Sequence, residues 1–404
     1  MNNIELNYDI MSCEWRQLEK TSQLSNFPLS LIKGFLRLLW FILKSILSFR
    51  ISFFKKGRVE LLVGTPNNYQ AAFVLDKKGL NTRVVGFHNY TGRTTDTNVP
   101  SILFYIVGLF LFHRVIVSYY SANGYQRKCI LNRLDQFVAS SGAIFVWKNL
   151  FKLTSPKFVF TFNDHNFWMR SAVAACNELG IPSGYVPHAP VGKGFPPLST
   201  TYSFLDGEMQ ARLYEVESSE IIYSGALRYE EIVLQNKERR SKSLYICFNM
   251  LDSKKLILEV LDDVKSGFTG GVYIKAHPRD KDRFNFFKNA CDEYGFTFLD
   301  ASFPLYKLLD KGGYVLAGVS GVHIDALMCG LVPVTLKQWY KGDYYCLIEN
   351  NSLLVLSDIS DLAAREQNFV KGLQASANLF NQHLDNIQRK PSDVILSIVQ
   401  SKIC

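Results

Sequence analysis

From Val59 onward, apolar and polar positions fall into short β-rich runs separated by stretches with helical spacing. VELLVGTP reads as a strand closed by a Gly-Thr-Pro turn, NYQAAFVLDKKG as a helix stopped by glycine, and TRVVGFHNY as the next strand. RVIVSYY, KFVFTFND and IPSGYVPHAP predict further strands, with FWMRSAVAACNELG a helix between the last two. After SEIIYSGALRYEEIV, the charged stretch LQNKERRSKS predicts a linker, and a second alternation begins. LYICFNML, GVYIKAHP, FTFLD, YVLAG and VPVTLK predict its strands; SKKLILEVLDDVKSG, DRFNFFKNACDEYG, PLYKLLDKG and the segment opening at SGVHIDALMCG predict its helices. Alternation of this kind builds parallel, doubly wound sheets and puts function at the carboxyl ends of the strands. The expected fold class is therefore α/β, with two Rossmann-like domains, residues 59–235 and 236–404, facing across a cleft. The second is expected to finish in C-terminal helices, and a chain of 404 residues is long enough for both domains.

Residues 1–58 follow a different pattern. LSLIKGFLRLLWFILKSILSF has the length of a membrane span, yet it carries Lys33, Arg37 and Lys44, and central charges are costly in hydrocarbon. On a helix these three lie within about 40° of one another, opposite a broad Leu/Ile/Phe/Trp face. The expectation is an amphipathic helix lying in the membrane interface; the alternative is a core-packed helix with one solvated side. A second apolar run, SILFYIVGLFLFHRVIVSYY, is broken by Gly108 and His113-Arg114, and predicts a buried helix followed by a strand.

The net charge of +9 changes this picture only through its location. Between Pro28 and Val59 there are seven basic residues and no acidic one. Basic residues mixed with membrane-type apolar ones, without an RNP, KH or zinc-finger signature, point to an anionic membrane surface and away from nucleic acid. The eight cysteines form no CxxC pair, as expected of reduced thiols, and the opening MNNIELNYDIMSCEW lacks the basic n-region of a secretory signal. The expected location is cytoplasmic, peripheral on the inner face of the plasma membrane.

The candidate chemistry lies where predicted strands end. GGVYIKAHPRD puts Lys275, His277 and Arg279 at the carboxyl edge of the second sheet, with Pro278 stopping the ladder. Cations there suit an anionic ligand, and an imidazole suits proton transfer or phosphate binding. Downstream, Ser320-Gly321 precedes a predicted helix start, where amides and the bare glycine leave room for an anion. His323, in the same segment, is a further candidate for the donor phosphate, and Asp325 in the first turns is a candidate partner for ribose hydroxyls. On the other half, Asp206, His188, and Asp164 or His165 are candidates to deprotonate an acceptor hydroxyl. No DxD, HExxH or paired carboxylate at ligand spacing is present, so no metal and no cofactor beyond the activated donor is expected.

Strand-Lys-x-His-Pro followed by Ser-Gly-x-x-x-Asp-Ala-Leu-x-x-Gly-x-x-Pro-Val resembles the donor half of GT-B glycosyltransferases that make bacterial surface polysaccharides. LLVGTPNNYQAAFVL is similar to the opening strand and helix of some bacterial sialyltransferases. YVPHAPVGKGFPPLSTTYSFLDGEMQARLY, followed by YSGALRYEEI, resembles a block of capsule Kdo and polyol-phosphate transferases. The likeness spans about residues 59 to 340 and departs from those patterns at Ala189, at the single acidic residue of Leu205-Asp206-Gly207, and at Gly321. It implies a nucleotide-sugar donor, a glycan or glycolipid acceptor, a phosphate held by His277, Ser320 and the Gly321 amide, and metal-independent transfer.

Overall fold

The structure, a computed structural model, describes residues 1–11, 28–47, 58–78, 80–87, 90, 95–216, 218–230, 243–277, 279–300, 303, 312–381 and 390–403. The first sheet holds seven parallel strands: β1 (Val59–Val63), β2 (Thr82–Gly86), β3 (Thr97–Asn98), β4 (Phe158–Thr161), β5 (Ser183–Tyr185), β6 (Tyr202–Leu205) and β7 (Glu220–Tyr223). Their order is β3-β2-β1-β4-β5-β6-β7, so the direction of winding reverses between β1 and β4. Leu61 sits between Val84 and Phe160, and every residue of β1 is buried, as in a parallel sheet covered on both faces. The exception in chemistry is Glu60, bonded to Arg83 and to the Thr154 hydroxyl; burial raises its pKa against the pull of Arg83.

The second sheet holds β8 (Leu244–Cys247), β9 (Val272–Lys275), β10 (Thr297–Leu299), β11 (Tyr314–Ala317), β12 (Val332–Leu336) and β13 (Leu354–Leu356). Its order, β10-β9-β8-β11-β12-β13, reverses between β8 and β11. Both sheets are thus doubly wound, as the alternation predicts, and each has its switch point beside a candidate loop.

Fifteen α-helices accompany these strands among the described residues. In the first half they are α1 (Asn3–Leu6), α2 (Tyr8–Met11), α3 (Leu29–Leu47), α4 (Pro66–Asp76), α5 (Ser101–Phe110), α6 (His113–Ser121), α7 (Gly124–Asn132), α8 (Leu134–Thr154), α9 (Phe167–Leu179) and α10 (Glu208–Leu213). Thr65 caps α4 by accepting from the Asn68 amide, with Pro66 at the first helical position; Asn166 caps α9, and Gly180 at φ 67° ends it. The second half carries α11 (Lys254–Gly267), α12 (Phe284–Tyr294), α13 (Val322–Met328), α14 (Leu362–Phe380) and α15 (Pro391–Ile403).

Four expectations need correction. RVIVSYY is helix α6, not a strand: Val115 and Ser118, one turn apart, face inward while Ile116, Val117 and Tyr120 are exposed, so its β-branched composition misleads. Residues 122–157, which predicted no element, form α7 and α8; α8 is buried nearly all round and shows no amphipathic period. Residues 1–58 are not a separate unit, because Leu6, Ile10, Met11 and Leu38 belong to the core of the first domain. The last helix, α15, leaves the second domain and packs Ile395, Leu396 and Val399 into the first, beside Leu61 and Phe158. The linker LQNKERRSKS, the boundary at 235–236 and the helix PLYKLLDKG lie outside the described residues apart from Ser243 and Gly312.

Helix α3 docks on α7 and α8 through Ser30, Gly34, Leu38 and Ser45. A Cβ on Gly34 would lie 1.8 Å from the Leu131 carbonyl oxygen, so only glycine permits this approach. Arg37 pairs with the buried Asp135 at 3.2 Å. The basic stripe therefore borders the docked side of the helix. No single helix among the described residues is long and apolar enough to cross a membrane.

Candidate active site

The carboxyl edges of the two sheets meet. A Cβ built on Gly321, after β11, would lie 3.2 Å from the Pro190 side chain, in the loop after β5. The Lys193 amide donates to the Tyr344 carbonyl at 2.9 Å, and the Tyr229 hydroxyl donates to Asp325 across the same boundary.

On the first domain the site grows from the loop after β4. The Asn163 side-chain oxygen accepts from the backbone amides of His165 and Asn166, tying the loop into a compact turn. That turn brings Asp164 Oδ1 to 3.0 Å from His165 Nδ1, while Asp164 Oδ2 accepts from the Tyr214 hydroxyl. The other ring nitrogen, Nε2, lies 3.5 Å from the Asn163 side-chain amide, a long contact that an acceptor hydroxyl would have to replace for this nitrogen to work as a base. The neighbouring His188 donates from Nδ1 to the Phe162 carbonyl, which fixes its neutral tautomer and leaves Nε2 as the acceptor. Burial pulls its pKa down to about 4 despite that hydrogen bond.

Asp206 lies elsewhere in chemical terms. It is buried, accepts from Arg228 Nη1 at 2.6 Å and from Gln210 Nε2 at 2.8 Å, and burial raises its pKa against the opposing charge of Arg228. A carboxylate so enclosed fixes Arg228; it is not placed to receive a proton from an acceptor, and that expectation is corrected. Arg228 had no assigned role in the sequence motifs, although YSGALRYEEI contains it. Its guanidinium lies 4.9 Å from the Tyr229 ring, and its buried Nε and Nη2 have no hydrogen-bond partner among the described residues. Its signal was its place in YSGALRYEEI, three residues past Gly225 after a strand.

On the second domain, Lys275 ends β9 half-buried, and burial lowers its pKa. Past it, the Arg279 backbone amide donates to His277 Nδ1 at 3.1 Å. An acceptor Nδ1 leaves the proton of the neutral ring on Nε2. Burial, then the charge of Arg279, lowers the pKa of His277, so the neutral ring prevails at pH 7. The turn is pinned by Asp280, which accepts from Arg283 Nε at 2.9 Å, while Arg283 Nη2 donates to the Asn249 carbonyl after β8. Arg279 is exposed, and Pro278 lies outside the described residues.

Around Ser320 the expectations divide. The Ser320 hydroxyl accepts from the Val322 amide at 3.3 Å, and Gly321 stands at the helix start as predicted. The space that a Gly321 side chain would need is filled by Pro190 and, at 3.4 Å, the Tyr345 hydroxyl, so the glycine serves the contact between domains. His323 is not a phosphate ligand: it is fully buried under β12, its Nε2 is 3.1 Å from the Val334 carbonyl, and burial lowers its pKa to about 4. Helical geometry turns this position onto the sheet. Asp325 accepts from Tyr229, and burial raises its pKa. Among the described residues, no group of three or more His, Cys, Asp or Glu side chains is arranged to hold a metal ion.

No protein-family model matches the chain, and no curated protein matches it in sequence. Solved structures do share its architecture. UDP-GlcNAc 2-epimerase from Neisseria meningitidis, bound to UDP-GlcNAc, superimposes with a TM-score of 0.53 at 13% identity over 85% of this chain and 99% of that one. The glycotransferase of kitacinnamycin gives 0.52 at 10% identity over 87% and 100%. The wall teichoic acid polymerase TagF, in a variant soaked with CDPG, gives 0.51 at 11% identity over 97% and 98%. These likenesses establish the fold: two Rossmann-like domains in the GT-B arrangement.

Proposed function

We propose that the protein is a GT-B glycosyltransferase that moves a sugar from a nucleotide-activated donor to a cell-surface polysaccharide or lipopolysaccharide acceptor. A CMP-linked donor of the sialic acid or Kdo type is favoured by the spacing of the His-Pro and Ser-Gly segments; a UDP-sugar or CDP-polyol is the alternative. The observation that carries the reading is the neutral His277 with its proton on Nε2, at the carboxyl end of β9 beside Lys275. As the bond between the anomeric carbon and the donor phosphate breaks, its electron pair leaves on the phosphate oxygen. An Nε2–H donor and nearby cations stabilise that charge without a metal or other cofactor. The Ser320–Gly321 turn would bound the phosphate, and Asp325 the ribose.

As the acceptor oxygen bonds to the anomeric carbon, its proton passes to His165, which Asp164 orients. His188, held neutral, accepts a hydrogen bond from an acceptor hydroxyl through Nε2. Asp206 and Arg228 position this half from below. Helix α3 would attach the protein to the anionic inner face of the plasma membrane, where a glycolipid acceptor resides.

A thermal-shift screen of CMP, UDP, GDP and CDP tests the donor, since a ligand that binds the native state raises its melting temperature with occupancy. CMP is expected to give the largest shift, followed by hydrolysis of a CMP-sugar. A shift with none of the four nucleotides would overturn the proposal; binding without donor hydrolysis would mark a non-catalytic scaffold of the same fold.

A further inference from the structure

We propose that the protein docks on anionic lipid through a composite face in which the corner between α5 and α6 is a second anchor beside α3. This rests on the membrane reading above and goes beyond it, because the sequence assigns the α5–α6 run to the interior.

Helix α3 turns its inward side to α7 and α8 and leaves Ile32, Phe35, Leu36, Trp40, Leu43 and Leu47 exposed. It also contacts α5, whose outer side exposes Leu103, Ile106, Leu109 and Phe110. Phe110, at the corner, is 83% exposed, and Ile116, Val117 and Tyr120 extend the apolar surface along α6. Helices α5 and α6 meet at 75°, and together they have the length and composition of a broken span. The rest of α5 is committed to the protein: a Cβ on Gly108 would lie 1.9 Å from the Val138 carbonyl oxygen, so the helix is clamped to α8. Exposed apolar patches of this extent mark interaction sites.

Charge identifies the occupant. Residues 28–59 contain no Asp or Glu, and neither do residues 97–134; helices α3, α5, α6 and α7, which lie within these stretches, pack against one another. Lys33, Lys44, Arg114, Arg127 and Lys128 are exposed on these helices. A second copy of the chain meeting this face would set like charges against each other, which is costly. An anionic bilayer satisfies both the apolar surface and its basic border. Beside the corner opens a cleft of about 450 Å³ lined by Leu111, Arg114, Val117, Ile144, Phe145 and the Lys148–Glu178 pair, among others, where a headgroup and the start of its chain have room.

The test is sedimentation of the full chain with vesicles of phosphatidylglycerol and phosphatidylcholine, and with phosphatidylcholine alone. A corner variant (Ile106→Ser, Leu109→Ser, Phe110→Ser) and a helix variant (Leu36→Ser, Trp40→Ser, Leu43→Ser) change exposed side chains only. Each is expected to lower partitioning to anionic vesicles by about tenfold or more. Wild-type partitioning by the corner variant, with loss in the helix variant, would overturn the second anchor and leave α3 alone. Absence of binding by the wild type would overturn the membrane reading itself. A wild-type oligomer that the corner variant dissolves would assign the face to a second copy. Should the triple variant misfold, Phe110→Trp in a Trp40→Phe chain supplies a second readout against Trp40→Phe alone: added emission that brominated acyl chains quench supports insertion of the corner, and added emission that stays unquenched on bound vesicles excludes it.

Discussion

At the scale of single residues, the bond from the Arg279 amide to His277 Nδ1 decides which ring nitrogen carries the proton, and therefore what His277 can do. Removing a positioned acid or oxyanion-type donor elsewhere costs about a hundredfold or more in turnover. His277→Ala is expected to lose that much with nucleotide affinity little changed, and His277→Gln, whose side-chain amide can still donate, to recover part of it. Rate measurements on both variants, with calorimetric titration of nucleotide, separate chemistry from binding; near-normal turnover in His277→Ala would return this residue to the ordinary residues of a turn. His323, although three residues from Ser320 in the same segment, stays out of this chemistry because its ring is spent on the Val334 carbonyl.

At the scale of elements, loops that follow β5 and β11 are held together by shape. Gly321 has φ −62°, so a side chain there meets no backbone strain; it meets Pro190. Overpacking of a close contact typically costs about 1–3 kcal/mol. Gly321→Val is expected to lower stability by that amount and weaken nucleotide binding, with Gly321→Ala in between, because the extra methyls push the two loops apart. Denaturant melts with parallel nucleotide titrations check it. If Gly321→Val matches wild type in both, Pro190 does not press on this turn. The Asp206–Arg228 pair acts in the same way from the neighbouring strand end, fixing the residue that precedes the domain-bridging Tyr229.

For the whole molecule, two histidines with pKa values lowered to about 4, His188 and His323, make stability depend on pH. Between about pH 6.5 and 4 an unfolded histidine takes up a proton that the folded one refuses, so stability is full above that window and falls as pH drops through it. For His323 the loss integrates to about 3 kcal/mol. The buried carboxylates of Asp206, Asp325 and Glu60 have raised pKa values and act in the opposite sense, taking up protons in the folded state first. Comparison of one variant with wild type isolates the histidine: His323→Gln is expected to flatten the fall in urea midpoint across this window. An unchanged slope would mean that His323 is protonated in the folded protein.

The chain determined its own class through local periodicity. Alternating β-rich runs and helical stretches specify parallel sheets, and the strand ends at Lys275 and Ala317 bring their polar residues to the carboxyl edges whatever the partner domain does. Local pattern also identified α3 as amphipathic, but which side would be covered depended on Gly34 meeting the Leu131 carbonyl, a contact between distant stretches. It failed where burial is all-round, as in α8, since a helix without a polar side has no period to read. It failed again at RVIVSYY, where β-branched residues gave way to packing on neighbouring helices. Within the site, the places of His277 and of Asp164 and His165 at strand ends were legible in the sequence, while the bonds that orient their rings came from the structure, although their partners are near neighbours in sequence. Only the tertiary structure assigned Asp206 to Arg228, Gly321 to Pro190, Asp325 to Tyr229 and α15 to the first domain. Asp206 and Arg228 meet only when the neighbouring strands β6 and β7 have paired, and the other three are meetings of residues far apart along the chain, whose surfaces do not exist until the first and second domains have folded.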